Sequence, residues 1–224
     1  MKFKHSPNLP GSVHAIVPVN VPRKSKARLS AVLDPKQRAE LSLTMLADVL
    51  SALKGARKIT STTVVCADKG VRKVAERFSA NFLWEGKRRG LNKSLRMGIR
   101  DSELRGAAAA LAIHADLPLL SSRDVDALVK NARRYPIAMV PSKDGRGTNA
   151  MMLRPPHIMH PAFGKDSFSR HLSLVHQRGI RCRILRIRGI SFDLDEPVDL
   201  YRLRESQIRN RTIRFLSTIP CLFH

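Results

Sequence analysis

Three aspartates at two places in the chain have the chemistry and spacing to bind a hard cation. Asp116 closely follows the apolar run 107–114, while Asp193 lies in a predicted strand, 191–194, and Asp195 stands just beyond its end. Open α/β sheets bind ligands at the carboxyl ends of their strands, and Mg²⁺ takes oxygen ligands. Strand alternation would turn Asp193 and Asp195 to one side. Together these residues would form a small acidic centre in which Asp116 could bind a hard cation.

Each carboxylate also has a structural interpretation. An aspartate shortly before Pro118 commonly forms a turn or caps a helix. Either Asp195 or Glu196 could cap the helix expected to begin at Pro197. Capping explains Asp193 less well. The residues alone leave both interpretations of Asp116 open.

Four basic side chains follow the first predicted strand, 13–19, at the same edge of the sheet. They are Arg23, Lys24, Lys26 and Arg28. Cations here could neutralise a triphosphate, with Arg suited to paired contacts and Lys acting as a compact charge. Lys26 and Arg28 are our candidates for binding the triphosphate. A solvated basic loop is the competing interpretation, which the spacing alone favours slightly.

Two polar segments could receive a second anion. The loop 142–149 contains two glycines and ends with Thr148 and Asn149, and Gly164 and Ser167 stand at a predicted helix entrance. Glycine permits close approach of the backbone, and free N–H groups at a helix start attract phosphate or carboxylate. An ordinary hairpin loop would show the same first pattern.

Composition restricts the class of protein. The chain has 41 Lys and Arg against 18 Asp and Glu, a formal charge of +23, which attracts polyanions. Nucleic-acid binding is therefore an alternative, although zinc-finger spacing is absent and aromatic residues make up only 5%. The three cysteines are far apart, and no apolar run approaches a membrane span. We expect a cytoplasmic protein without membrane insertion.

Short apolar runs alternate with amphipathic ones, which is typical of strands joined by helices. The predicted strands are 13–19, 62–67, 81–84, 107–114, 137–140, 150–153, 183–187 and 191–194. The predicted helices are 35–53, 68–78, 91–104 and 121–133, with others beginning near Ser167 and Pro197. A stripe of Leu41, Met45, Val49 and Leu53 is expected to be buried in the first helix.

Several short motifs in a fixed order resemble the 2-phospho-L-lactate guanylyltransferase family, which includes phosphoenolpyruvate guanylyltransferases. These motifs are Ile16 to Val19, Ser25 to Leu29, Gly90 to Asn92, Ala115 to Leu120, Gly147 to Ala150, Gly164 with Ser167, and Asp193 to Leu200. The resemblance implies an α/β fold like the nucleotide-diphospho-sugar transferases, a Rossmann-like single domain with a mixed, mostly parallel sheet. The expected domain spans 13–204, with an N-terminal extension, 1–12, and a basic tail, 205–224.

The resemblance also assigns roles to residues. It implies nucleotide binding by Pro18, Lys24, Lys26, Arg28, Leu91, Asn92 and Asp116, acceptor binding by Thr148, Asn149, Gly164 and Ser167, catalysis by Lys26, Arg28 and Asp116, and Mg²⁺ binding by Asp116, Asp193 and Asp195. Two positions depart from the family pattern. Asn20 stands where Lys is usual, and Ala27 where Ser is usual, so neighbouring Lys24 becomes a candidate for the lost contact.

The implied reaction transfers GMP from GTP to the phosphate of a small phosphorylated carboxylic acid. The acceptor is 2-phospho-L-lactate, phosphoenolpyruvate or 3-phosphoglycerate, pyrophosphate leaves, and the product serves deazaflavin coenzyme biosynthesis. Hand-over to the next transferase of that pathway is a further candidate interaction. The sequence leaves the oligomeric state open, with a homodimer as one candidate. The alternatives are a nucleotidyltransferase with another acceptor, such as a molybdenum-cofactor guanylyltransferase, and a basic nucleic-acid-binding protein.

Overall fold

The structure is a computed structural model that describes residues 11–86 and 90–219. Most of the expected N-terminal extension and the last five residues lie outside this part. The strands are β1 Val13–Pro18, β2 Ser61–Cys66, β3 Asn81–Trp84, β4 Ala109–Ile113, β5 Ile137–Pro141, β6 Thr148–Leu153 and β7 Cys182–Ile184. The helices are α1 Pro35–Gly55, α2 Lys69–Arg77, α3 Leu91–Leu104, α4 Ser122–Ala132, α5 Ser167–Gln177, α6 Arg188–Ser191, α7 Pro197–Arg204 and α8 Arg211–Leu216.

The seven strands form one sheet in the order β3-β2-β1-β4-β6-β5-β7. Strand β6 runs antiparallel to both of its neighbours, and the other described pairs are parallel. The predicted α/β class with a mixed, mostly parallel sheet is confirmed. Because β1 to β4 point the same way, the residues that follow them meet at one edge of the sheet.

Helix α1 shows how local sequence signals place an element on the sheet. The Asp34 side chain accepts a hydrogen bond from the Gln37 backbone, and the Gln37 side chain accepts one from the Asp34 backbone. Pro35 occupies the first turn. This reciprocal cap satisfies two donors at the helix start. The predicted stripe of Leu41, Met45, Val49 and Leu53 is buried, each 1% exposed or less.

The predicted strand 191–194 is wrong. A short helix, α6, occupies Arg188–Ser191, and an extended segment outside the sheet follows it. Asn149 donates to the carbonyls of Ile190 and Ser191, which satisfies groups that a strand would have paired across a ladder. At Gly189 a Cβ would lie 2.3 Å from Asp124 Oδ2, so glycine permits this close packing on α4. The strand predicted at 183–187 is β7, which begins and ends earlier, at Cys182–Ile184.

The C-terminal helices pack on the domain. Buried Asp48 of α1 accepts hydrogen bonds from the Thr212 backbone at 2.9 Å and from the Thr212 hydroxyl at 2.7 Å. One apolar cluster unites the first loop, α1, α7 and α8, and its buried members are Leu29, Leu33, Leu41, Met45, Leu119, Leu194, Leu200, Leu203, Leu216 and Ile219. Two of its members, Leu119 and Leu194, lie within three residues of predicted site aspartates. In the described part of the chain, no helix has the length and apolar character needed to cross a bilayer.

Candidate active site

A buried lysine joins two of the predicted carboxylates. Lys26 Nζ lies 2.7 Å from Asp116 Oδ2 and 2.7 Å from Asp195 Oδ1. The Lys26 side chain is 7% exposed, against 27% for Asp116 and 40% for Asp195. Three residues that are 90 and 169 positions apart in sequence thus form one ionic cluster at the carboxyl edge of the sheet.

Neighbouring apolar residues hold this cluster in place. Asp116 follows β4, and its carbonyl accepts a hydrogen bond from the Leu194 backbone at 3.1 Å. Leu194 is fully buried, so the two aspartates on either side of it are carried to the site. Lys26 adopts a left-handed backbone conformation with φ 55°. Such conformations in non-glycine residues are uncommon and occur preferentially at functional sites.

Asp195 is not used as a helix cap. The Asp199 side chain accepts from the backbones of both Asp195 and Glu196 at 2.9 Å, which closes the start of α7. The Asp195 carboxylate is therefore directed to Lys26 instead. For Asp195, the structure resolves the two interpretations in favour of the ionic site.

The charges of this cluster shift one another's proton affinity. Burial alone would lower the pKa of Lys26, but attraction to Asp116 and Asp195 outweighs it and raises that pKa. Burial works against ionised Asp116, yet Lys26 and then His114 lower its pKa overall. The pKa of Asp193 is raised, first by burial and then by repulsion from Asp116. Asp193 is thus a carboxylate whose ionised form lacks sufficient compensation.

A second lysine, which sequence reasoning missed, reaches the same region. Lys143 Nζ donates to the Asp193 carbonyl at 2.7 Å and lies 2.6 Å from Asp199 Oδ2. It also lies 5.2 Å from the centre of the Phe192 ring. The glycines of the loop containing Lys143 predicted close approach to an anion. Nothing in the local sequence indicates this long-range ion pair with Asp199.

The donor atoms present fit a divalent cation. Asp116 Oδ1 and Asp193 Oδ1 are buried without a hydrogen-bond partner, although buried acceptors are normally paired. The carboxylates of Asp116, Asp193, Asp195 and Asp199 with the ammonium groups of Lys26 and Lys143 leave a formal charge of −2. No set of three or more His, Cys, Asp or Glu within 11–86 and 90–219 is arranged as a metal cage. Magnesium commonly uses only one or two carboxylates, with water and substrate phosphates completing its shell.

A cavity of about 250 Å³ opens beside this cluster. Its walls are formed by Pro18, Val19, Asn20, Ser25, Lys26, Ser42, Met45, Glu85, Gly90, Leu91, Ser94, His114, Ala115 and Asp116. Four of the residues predicted to bind nucleotide, Pro18, Lys26, Leu91 and Asp116, therefore line one space. Glu85, Ser94 and His114 are additions that sequence reasoning did not assign to the site.

Among the other residues of the first loop, Arg28 does not share the buried position of Lys26. Arg28 is largely exposed and lies 3.6 Å from Glu196 Oε1. Lys24 ends a short 3-10 turn, and its side chain lies outside what the structure describes. Asn20, at one of the two departures from the family pattern, lines the cavity, and its side chain accepts from the Val21 backbone at 3.0 Å.

The predicted acceptor residues form a compact group next to Asp116. The His114 backbone donates to the Asn149 carbonyl at 3.1 Å, so Thr148 lies beside the Asp116 segment. The Thr148 backbone donates to Ser167 Oγ at 3.0 Å, and Thr148 Oγ1 lies 3.0 Å from His171 Nδ1. The structure thus brings Thr148 and Ser167 together, as the assigned common role requires.

His171 sets the polarity of this group. Its Nε2 accepts a hydrogen bond from the Ala162 backbone at 2.9 Å, so the proton of the neutral ring belongs on Nδ1. Burial lowers the pKa of His171 to about 4, which keeps the ring neutral. His171 Nδ1–H then donates to Thr148 Oγ1. The hydroxyl proton of Thr148 is left to bond another oxygen.

Three predicted binding residues make contacts within the protein. Asn149 uses its side-chain amide to hold the end of α6, as described above. Asn92 exchanges hydrogen bonds with the backbone of Phe163, at 2.9 Å and 2.7 Å. Gly164 has φ +129° and accepts from the Ser167 backbone at 3.1 Å. These contacts connect Asn92, which is predicted to bind nucleotide, to the segment that carries Gly164, which is predicted to bind the acceptor.

Comparisons with known proteins identify the family of the chain and relatives of its fold. A family described as "Guanylyl transferase CofC like" matches residues 13–219. The chain is 45% identical over 197 residues to the phosphoenolpyruvate guanylyltransferase of Rubrobacter xylanophilus, covering 87% of this chain and 95% of that one. It is 31% identical over 209 residues to the 3-phospho-D-glycerate guanylyltransferase of Phenylobacterium zucineum, covering 92% and 95%. A solved structure assigned as a nucleotide-diphospho-sugar transferase, from Desulfovibrio desulfuricans, superposes with a TM-score of 0.77 at 17% identity, covering 94% and 96%.

Proposed function

The chain belongs to the family of CofC-like guanylyl transferases, and from that premise we propose that it transfers GMP from GTP to the phosphate of phosphoenolpyruvate. The observation that carries this proposal is the position of the Lys26–Asp116–Asp195 cluster, which adjoins both the cavity and the Thr148–Ser167 group. Phosphoenolpyruvate is preferred because the relative at 45% identity is named for it. As the resemblance implies, we place the product in deazaflavin coenzyme biosynthesis.

The acceptor's phosphate oxygen attacks the α-phosphorus of GTP. A new O–P bond forms, the bond from the α-phosphorus to the bridging oxygen breaks, and pyrophosphate leaves with that oxygen. A phosphate monoester has a second pKa of about 6, so its oxygen is already ionised at neutral pH. The protein therefore needs no general base for this step.

The work left to the protein is to bring two anions together and stabilise their charge. Lys26 is held protonated at the edge of the cavity and supplies a positive charge for the phosphates. Thr148 and Ser167 would orient the acceptor through their hydroxyl groups, and Arg28 would contribute from the exposed side. Asp116 and Asp193, with Asp195 beside them, would hold Mg²⁺, which supplies electrostatic stabilisation of phosphate oxygens when bound.

The test combines purified protein with GTP, ATP or CTP and with phosphoenolpyruvate, 3-phospho-D-glycerate or 2-phospho-L-lactate, and measures pyrophosphate release and product mass. We expect a guanosine diphosphate conjugate of phosphoenolpyruvate. Asp116→Asn should lower turnover at least about 100-fold. Asp101→Asn, near the far end of α3, is the matched control. Near-normal turnover by Asp116→Asn at saturating Mg²⁺ would overturn the site assignment.

A further inference from the structure

One wall of the cavity carries a buried carboxylate that the proposed reaction has not used. Glu85 is 5% exposed and follows β3 directly. Its backbone N–H donates to the Cys66 carbonyl at 3.3 Å, which continues the pairing of β3 with β2 by one residue. The regular part of the sheet thus fixes the place of Glu85 at the carboxyl edge.

The first turn of α3 orients this carboxylate. Ser94 Oγ donates to Glu85 Oε2 at 2.6 Å, and the Ser94 backbone is bonded to Gly90 in that turn. The close packing of α3 on β1 and β2 is fixed at Gly98, where a Cβ would lie 2.5 Å from Ile16 Cγ2. The positive end of the helix dipole also favours a negative group here. Glu85 is therefore a rigidly positioned acceptor.

The two carboxylates of the cavity, Glu85 and Asp116, are separated by three inter-strand distances of the sheet. Glu85 follows β3 and Asp116 follows β4, with β2 and β1 between them. Three inter-strand spacings amount to roughly 14 Å. Apolar side chains of Pro18, Val19 and Leu91 line the same cavity and suit the faces of a planar ring. A nucleotide with its phosphates near Asp116 would extend its base toward Glu85.

We propose that Glu85 selects guanine as the base of the donor nucleotide. Guanine presents two neighbouring donors, the ring N1–H and the 2-amino group, and a carboxylate has two acceptor oxygens and no donor. Adenine and cytosine present a ring nitrogen acceptor beside their amino group, and uracil flanks its single N–H with carbonyls. Among the common bases, only guanine offers two adjacent donors to a carboxylate. The proposal rests on GTP being the donor in the proposed function.

The first test changes the substrate and leaves the protein intact. Wild-type protein is assayed with GTP, inosine triphosphate, which lacks the 2-amino group, and 1-methyl-GTP, which lacks the N1 proton. Each loss should lower kcat/KM by roughly 5- to 150-fold, the equivalent of the about 1–3 kcal/mol by which a paired base contact discriminates. Equal kcat/KM values for the three nucleotides would overturn the proposal.

The second test reverses the hydrogen-bond pattern of the protein. Glu85→Gln replaces one acceptor by a donor, which matches xanthine, where the 2-amino group is replaced by a carbonyl. We expect kcat/KM for GTP to fall by the same 5- to 150-fold and that for xanthosine triphosphate to rise, with the KM for the acceptor unchanged. Glu76→Gln, on the surface of α2, is the matched control and should retain the wild-type preference.

The outcomes separate this proposal from the proposed function. If wild-type protein releases no pyrophosphate with any nucleotide and phospho-acid, the proposed function fails. If wild-type protein uses GTP but Glu85→Gln lowers turnover of all donors equally, Glu85 has a structural role and only the base assignment fails. A preference that changes from GTP to xanthosine triphosphate supports both.

Discussion

Replacing Lys26 by methionine should destabilise the protein at neutral pH, because two carboxylates would lose their common cation. Removing one partner of a buried ion pair costs about 3–5 kcal/mol. Asp195 is 40% exposed, so solvent screens part of its interaction and the expected loss is about 2–3 kcal/mol. For a chain of this size that corresponds to a fall in Tm of roughly 5–10 °C.

The pKa shifts define where this difference should appear. The raised pKa of Lys26 means that its contribution is complete below 10.5 and is lost as pH rises through the folded-state value. The lowered pKa of Asp116 means that its contribution is present above 3.8 and is lost as pH falls. The free-energy difference between wild type and Lys26→Met should therefore be constant from about pH 5 to 9 and shrink outside that window.

Urea unfolding with chelator measures this difference, and added Mg²⁺ should restore stability to Lys26→Met because the cation replaces the lost charge. Lys130→Met, an exposed position on α4, is the control. Combining Lys26→Met with Asp116→Asn should cost less than the sum of the single changes. An unfolding free energy of Lys26→Met within about 0.5 kcal/mol of wild type, a variation ordinary for surface changes, would refute the ion-pair argument.

Three other changes test separate parts of the structure. Asp193→Asn should raise Tm in metal-free buffer while abolishing pyrophosphate release, because the raised pKa of Asp193 makes its charge destabilising above 3.8. The pKa of His171 is lowered from 6.5 to about 4, so protonation of this ring should reduce the free energy of unfolding by up to about 3 kcal/mol as pH falls between these values. In His171→Gln, the free energy of unfolding in urea should change less over this pH range. Asp48→Asn weakens the hydrogen bonds to Thr212 and should cost about 1.5–3 kcal/mol, with new protease cleavage within 205–219 detected by mass.

Local sequence was sufficient to predict the site residues that directly follow a strand. The apolar run before Asp116 predicted β4, and the basic loop after β1 placed Lys26 at the same edge. Cap signals at Asp34 and Pro197 correctly predicted the starts of α1 and α7. These predictions succeeded because each depends on a few consecutive residues.

Contacts between distant segments were beyond local sequence. The sequence predicts a strand over 191–194, whereas the contacts of Asn149 and Gly189 with other elements determine the path of this segment. The partner of Lys143 is 56 residues away in sequence, at Asp199, and its neighbours carry no sign of it. A buried histidine such as His171 likewise has no local signal that separates it from a surface one. The roles assigned to individual residues in binding nucleotide, acceptor and Mg²⁺ stay predictions.

The contact between Lys26 and Asp195 has a consequence for how the protein is made. A ribosome completes the strands that surround Lys26 long before it reaches Asp195, 169 residues later in the chain. Chains fold from the N-terminus during synthesis. The helices that support Leu194 from behind come from the last part of the described sequence. A nascent chain therefore holds Lys26 and Asp116 without their third partner, and its ionic cluster closes only after Asp195 and the helices behind Leu194 have been synthesised.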